Sequence, residues 1–205
     1  MARRLTFFLL LWSCPSFAYQ TNYTTGDVLR SGQYRTGLNT QFITSEFSGA
    51  TANGHFDLGV REDGEARIVL GVGKVDFHAG ALYKWVPFPD LEKQPAVGVM
   101  GGPVYGRVNS KGVLTLRAVP FVSETFEVEE AGILTPYGGL PLGLEFVEGS
   151  SQVPVQVMAG CDWKPMKLDK VHFNGEVGIN LSKSFNYIAV GVAVYFDDST
   201  GFRLE

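Results

Sequence analysis

The sequence predicts an all-β protein, an antiparallel up-and-down transmembrane β-barrel of about 10 strands, with 8 or 12 as alternatives. Three observations predict it. Apolar and polar residues alternate with a period of two over stretches longer than the usual strand of about five or six residues. The polar partner face is rich in glycine and balanced in charge. Aromatic residues on the apolar face gather near the strand ends. The last hairpin shows the pattern most plainly. Val171, Phe173, Gly175, Val177, Ile179 and Leu181 form one face against His172, Asn174, Glu176, Gly178, Asn180 and Ser182. After Lys183-Ser184, Ile188, Val190, Val192, Val194 and Phe196 resume the apolar face. A transmembrane β-strand needs about 9–11 residues, and both arms reach that length.

The chain opens with Arg3-Arg4, an apolar run from Leu5 to Trp12, and Ser16-Phe17-Ala18, which reads as a secretory signal peptide over residues 1–18. The apolar run is too short for a membrane-spanning helix. Lipoprotein processing at Cys14 is the rival reading, with the bulky Trp12 against it. Of the 205 residues, cleavage after Ala18 leaves 187, a length that suits one domain. With Arg3 and Arg4 gone, 15 basic side chains face 21 acidic ones, which argues against nucleic acid as a partner. Only Cys161 would remain, so no intrachain disulfide could form.

Taken in order, residues 19–32 read as a polar, loose N-terminal linker. A first strand over 33–45 carries Tyr34, Leu38 and Phe42 outward, and Ser48–Gly54 reads as a turn-rich loop. Phe56, Leu58 and Val60 mark a second strand. Asp63-Gly64 suits a hairpin turn that needs positive φ. Ala66 to Val72 is the third strand. The phase slips at Gly73-Lys74, by a second tight turn or a β-bulge, before the fourth strand runs from Val75 to Trp85. Residues 87–95 are a loop, 96–108 a strand with two mixed faces, and Asn109–Gly112 a turn. Leu114 to Ser123 follows. Beyond the polar break Glu127–Gly132, an apolar face from Leu134 to Phe146 is interrupted by Pro136 and Pro141. Val153 to Trp163 makes the eighth strand. The barrel domain is thus placed at 33–196, with a short tail over 197–205.

Alternation alone does not choose lipid over a protein core. The opposite face does. Gly37, Gly59, Gly71, Gly80, Gly143, Gly160, Gly178, Ala189, Gly191 and Ala193 recur on it, as a narrow lumen requires. Arg35, Arg61, Arg67, Lys84, Arg117 and Lys164 are balanced there by Asp57, Glu65, Asp76, Glu145, Asp162 and Glu176, and charges inside a barrel must pair. Tyr34, Phe42, Tyr83, Trp85, Trp163, Phe173 and Phe196 mark two aromatic girdles.

With these features, and with Gly191-Val192-Ala193-Val194-Tyr195-Phe196 at the end of the last strand, residues 33–196 resemble the small outer-membrane β-barrel proteins of Gram-negative bacteria. The hexapeptide is similar to the C-terminal signal that the barrel-assembly machinery reads in that class. Ala189 in place of a polar residue, the extension past Phe196, and short inter-strand loops depart from the pattern. The resemblance implies export to the cell outer membrane, with the lipid bilayer, lipopolysaccharide and the assembly machinery as partners. It leaves oligomeric state open.

Candidate chemistry is thin. His55 with Asp57, and Asp76 with His78, place an acid beside an imidazole on the polar face, as a general base requires. No serine accompanies them, and His172 lies apart, so lumen charges satisfying one another is the preferred reading. No metal-ligand spacing is present, and Cys161 reads as a small lipid-facing residue. The sequence therefore assigns no catalytic, cofactor-binding or metal residue. It predicts a non-enzymatic structural component, narrow channel or surface-interaction protein. Two alternatives stand: a soluble or lipid-anchored lipocalin-like barrel with its apolar face turned inward, and a membrane-embedded lipid-modifying enzyme.

Overall fold

Strands this long leave many backbone groups to satisfy, and in lipid only a closed ring satisfies them all. The computed structural model describes residues 21–45, 48–91, 94–108 and 110–198. The expected leader over residues 1–18, with Cys14, and the part of the expected tail beyond Asp198 lie outside the described residues. Thirteen strands occur in the described chain: β1 Gln33–Ile43, β2 Gly49–Arg61, β3 Gly64–Gly73, β4 Phe77–Phe88, β5 Ala96–Val108, β6 Lys111–Ser123, β7 Phe126–Val128, β8 Gly132–Gly139, β9 Leu142–Val147, β10 Ser150–Gln152, β11 Val155–Pro165, β12 Val171–Ser182 and β13 Tyr187–Asp197. They form a closed barrel of ten antiparallel staves, because β8 and β9 are two halves of one stave while β7 and β10 are short additions. Closure comes from β13 on β1, in register from Gln33 with Asp197 to Ile43 with Tyr187.

The broken stave has a simple cause. Proline has no N–H to give to a ladder. β8 pairs with the end of β6 and with β11, whereas β9 pairs with the start of β6. The ring is bridged across the break by Leu140 N donating to Pro120 O at 3.0 Å and Gln156 N to Pro141 O at 3.0 Å. β7 folds back on β8 through a turn in which Glu130 and Gly132 have φ of 65° and 104°. The slip at Gly73-Lys74 is a hairpin turn, not a bulge in one strand. The expected loop Ser48–Gly54 is a correction: Gly49–Arg61 is one continuous strand, paired on one side with β1 and on the other with β3. Turn-forming residues take the extended form there because both neighbouring ladders hold them.

The apolar side chains point outward. Leu38 is 69 % exposed, Leu70 59 % and Ile179 57 %, and Ile68, Leu144, Ile188 and Val190 are exposed with them. So continuous an exposed apolar surface, around the whole circumference, is a lipid-facing belt. Aromatics rim it at both ends. Tyr34 stacks between Phe56 and Phe196, and Trp163 meets Phe173, at the end that carries the first residue of β1. Phe77 meets Tyr105 at the other. The soluble, lipocalin-like alternative required these faces inside, and the structure puts them outside.

Inside, small residues make room for large ones. A Cβ on Gly160 would stand 2.4 Å from the Tyr137 hydroxyl, and one on Gly178 would stand 2.1 Å from the Tyr187 ring. The interior is also partly apolar: Val69, Leu82, Val86, Met100, Val119, Phe121 and Met158 pack with Tyr23 into one cluster. A second cluster, with Ile43, Val75, Val108, Val113, Val147 and Phe185, gathers at the end away from the start of β1.

The belt gives a direct test. Replacing Leu38 by Arg at mid-stave places a charge in hydrocarbon, and the folded protein in a bilayer should lose about 2–4 kcal/mol. On a water-facing surface the same change would stay within about 0.5 kcal/mol. Urea unfolding from lipid vesicles measures the difference.

Candidate functional site

Inward-facing polar residues of a ten-stave barrel surround a space wide enough for one segment of chain, and here that segment is the protein's own. Thr21 to Thr25 are buried within the lumen, and the segment reaches the mouth near Leu29-Arg30 before β1 begins. The loose linker expected over 19–32 is corrected to this extent: its described residues Thr21–Leu29 pack against the barrel wall.

The wall holds the segment chiefly by its main chain. The Glu176 carboxylate accepts from Asn22 N at 2.8 Å and Tyr23 N at 2.7 Å. Arg67 Nη1 donates to the carbonyls of Asn22 and Tyr23, each at 2.8 Å. Lys84 Nζ donates to the carbonyls of Thr25, at 3.1 Å, and Asp27. Ser123 Oγ accepts from Gly26 N at 2.7 Å, and Glu65 Oε2 from Leu29 N at 3.2 Å. Four amides and four carbonyls are thereby satisfied by wall side chains. Side-chain contacts are fewer: Thr21 Oγ1 to Asn39, Asn22 Nδ2 to Tyr187, and Tyr23 Oη to Asp162 at 2.8 Å. Gly26 passes so close to β5 that a Cβ there would lie 2.0 Å from the Ala96 Cβ.

Around the segment the charges form one network. Arg35 bonds Asp57 at 2.5 Å and Glu65 at 2.6 Å. Arg67 bonds Asp57 at 2.6 Å, and Lys84 bonds Glu65 at 3.0 Å. All five are buried, and three cations face two carboxylates. The partial negative charges of the segment's four carbonyls lie where the excess positive charge is. Glu176 has the converse supply: besides the two amides, the hydroxyls of Tyr187 at 2.6 Å and Tyr137 at 3.0 Å donate to it. Isolated buried charges would be very costly, so wall and segment need each other.

This geometry sorts the histidines. His55 Nε2 stands 3.8 Å from Asp57, beyond a hydrogen bond, because Arg35 and Arg67 already occupy that carboxylate. Asp76 is exposed at a turn and accepts from Ser110 N at 3.5 Å, so it does not pair with His78. The His–acid pair that does form is between strands: His172 Nδ1 to Asp162 at 2.6 Å, with the His172 ring 4.2 Å from the Tyr195 ring. Its register, β11 beside β12, is not visible in alternation within one strand. The pair borders a mouth cavity of about 910 Å³, together with Asp27, Thr135, Lys164 and Tyr195. Among the described residues no hydroxyl is bonded to the His172 imidazole. Of the charges expected on the lumen face, Arg61 is instead exposed and paired with Asp63 at 3.3 Å. Cys161 is a half-buried free thiol beside Trp163.

No protein-family model matches the sequence, and no curated protein is similar enough to match. Solved structures do match. A de novo designed transmembrane β-barrel has 14% identity and a TM-score of 0.41, covering 83% of this chain and 100% of the design. The β domain of the Bordetella autotransporter BrkA has 13% identity and a TM-score of 0.49, with 80% and 98% covered. The translocator domain of the autotransporter NalP from Neisseria meningitidis has 12% identity and a TM-score of 0.40, with 83% and 90% covered.

The segment's hold on Glu176 is testable. In Glu176→Gln the amide NH₂ must face a fixed backbone N–H, and the variant should lose about 1–3 kcal/mol. Faster hydrogen exchange at the Asn22 and Tyr23 amides, with a lowered unfolding midpoint, reports it. Glu148→Gln, at an exposed pair with Lys111, should change stability by less than about 1 kcal/mol.

Proposed function

We propose that the protein is an integral outer-membrane barrel without catalytic activity, closed by its own N-terminal segment, and acting as a structural or surface-interaction component of that membrane. The occupied lumen carries the reading. A barrel of this size has little interior space beyond its side chains, and the segment takes up the middle of it. A narrow channel is then a property of the barrel only when residues 21–30 have left. The apolar belt with its two aromatic rims supports lipid as the surrounding medium, and the leader over residues 1–18 supports export. Lipopolysaccharide and the barrel-assembly machinery are the partners that follow from such a location.

A lipid-modifying enzyme is the weaker reading. The buried acids are committed to arginine, lysine, tyrosine, glutamine, histidine or main-chain donors, and the His172–Asp162 pair has no nucleophile bonded to it among the described residues. The protein should remain in membranes washed with alkaline carbonate, and its gel mobility should differ between unheated and boiled samples. In planar bilayers the intact chain should be electrically silent, and a chain lacking residues 21–30 should conduct. Steady conductance from the intact chain would overturn the closed-barrel reading.

A further inference from the structure

We infer that the lumen is a binding site for a peptide, able to take one in trans when the chain's own segment is absent, and selective for a tyrosine followed three residues later by glycine. The inference rests on the closed-barrel reading and adds to it a ligand class.

The wall reads main chain more than side chains. Glu176 and Ser123 take amides, Arg67 and Lys84 take carbonyls, and Glu65 takes the last amide before the mouth. Any polypeptide that follows the same path, with its turn of positive φ at Tyr23, offers those groups in the same order. The reading groups are contributed by β3, β4, β6 and β12, so they exist as a set only in the closed barrel. They are buried, and all but Ser123 are charged, so a lumen emptied of peptide would leave Glu176 without two of its four donors and Lys84 without its two carbonyls. That deficit favours a replacement of the same chemistry over an empty pore.

Selectivity enters at two places. At Gly26 the path touches β5 so closely that any side chain collides with the Ala96 Cβ and crowds the Ser123 hydroxyl. At Tyr23 the hydroxyl donates to Asp162, whose other oxygen is held by His172, while the ring lies 5.8 Å from the Arg35 guanidinium. The spacing Tyr-x-x-Gly is therefore the signature the wall selects. Thr24 and Thr25, between them, are buried, and the Thr24 hydroxyl has no hydrogen-bond partner among the described residues, so these positions should tolerate replacements of equal or smaller size.

The test keeps the folding chain intact. A protease site is placed between Arg30 and Gln33, the barrel is folded in detergent and then cut, and the freed segment is washed out in mild urea. A fluorescent synthetic peptide of residues 21–30 is then added and its anisotropy followed. A second sample, the chain lacking residues 21–30, is refolded with and without the same peptide. Saturable binding to the cut barrel, competed by unlabelled peptide, supports the inference, as does a raised unfolding midpoint of the deleted chain when peptide is present. A peptide with Gly26→Leu should fail to bind, and one with Tyr23→Phe should bind about tenfold more weakly. No saturable binding in either sample overturns it, and so does equal binding by the Gly26→Leu peptide or by a scrambled one. Gel mobility of the same samples separates the two readings: a barrel that keeps its heat-dependent shift but ignores the peptide defeats only this inference, whereas loss of the shift defeats the barrel.

Discussion

Buried charge governs this molecule. Arg35, Arg67, Lys84, Asp57 and Glu65, with Glu145, Asp162 and Glu176 buried near them, stand inside a barrel wall whose outer face is hydrocarbon-like, where an unpaired ion would cost several kcal/mol. Asp57 and Glu65 are shared among Arg35, Arg67 and Lys84, which leaves the cations in excess. The N-terminal segment supplies the missing negative character as carbonyl oxygens and at the same time finds partners for its own backbone. Neither side is satisfied without the other. Removing one member of such a set generally costs about 3–5 kcal/mol, because what remains is an uncompensated charge.

The rest of the interior follows from making room for that arrangement. Gly160 yields space to Tyr137 and Gly178 to Tyr187, and both hydroxyls then reach Glu176. The apolar cluster around Val69, Met100, Phe121 and Met158 packs with Tyr23, so the segment has a hydrophobic side as well as a polar one. The lumen is consequently a packed core with an ionic seam, built around a segment whose backbone is held by side chains in place of neighbouring strands.

Much of the barrel was legible because period-two patterning survives wherever one face meets lipid and the other a filled interior. The pairing of the last strand with the one beginning at Gln33 follows from that patterning plus closure. Three things were hidden, each for a physical reason. Ser48–Gly54 looks like a loop because its residues are turn formers, yet two flanking ladders hold them extended. The His172–Asp162 pair depends on cross-strand register, which a single strand's alternation does not encode. Residues 21–30 look like a linker because they are short, polar and aperiodic. A chain held by its backbone needs no hydrophobic pattern, and the lumen-face charges, balanced along the sequence, gave no sign that an acceptor-rich segment lies among them.

The position of the segment has a consequence for assembly. It is the first part of the described chain, yet its partners stretch from Asn39 to Tyr187, with Glu176 lying 154 residues away. No subset of neighbouring strands presents the whole set. An incomplete ring can grip the segment only in part, and full occupancy is reached only when the last stave has joined the first. Seating of the N-terminal residues is therefore a built-in report that the cylinder has closed, written into the chain before any of its strands.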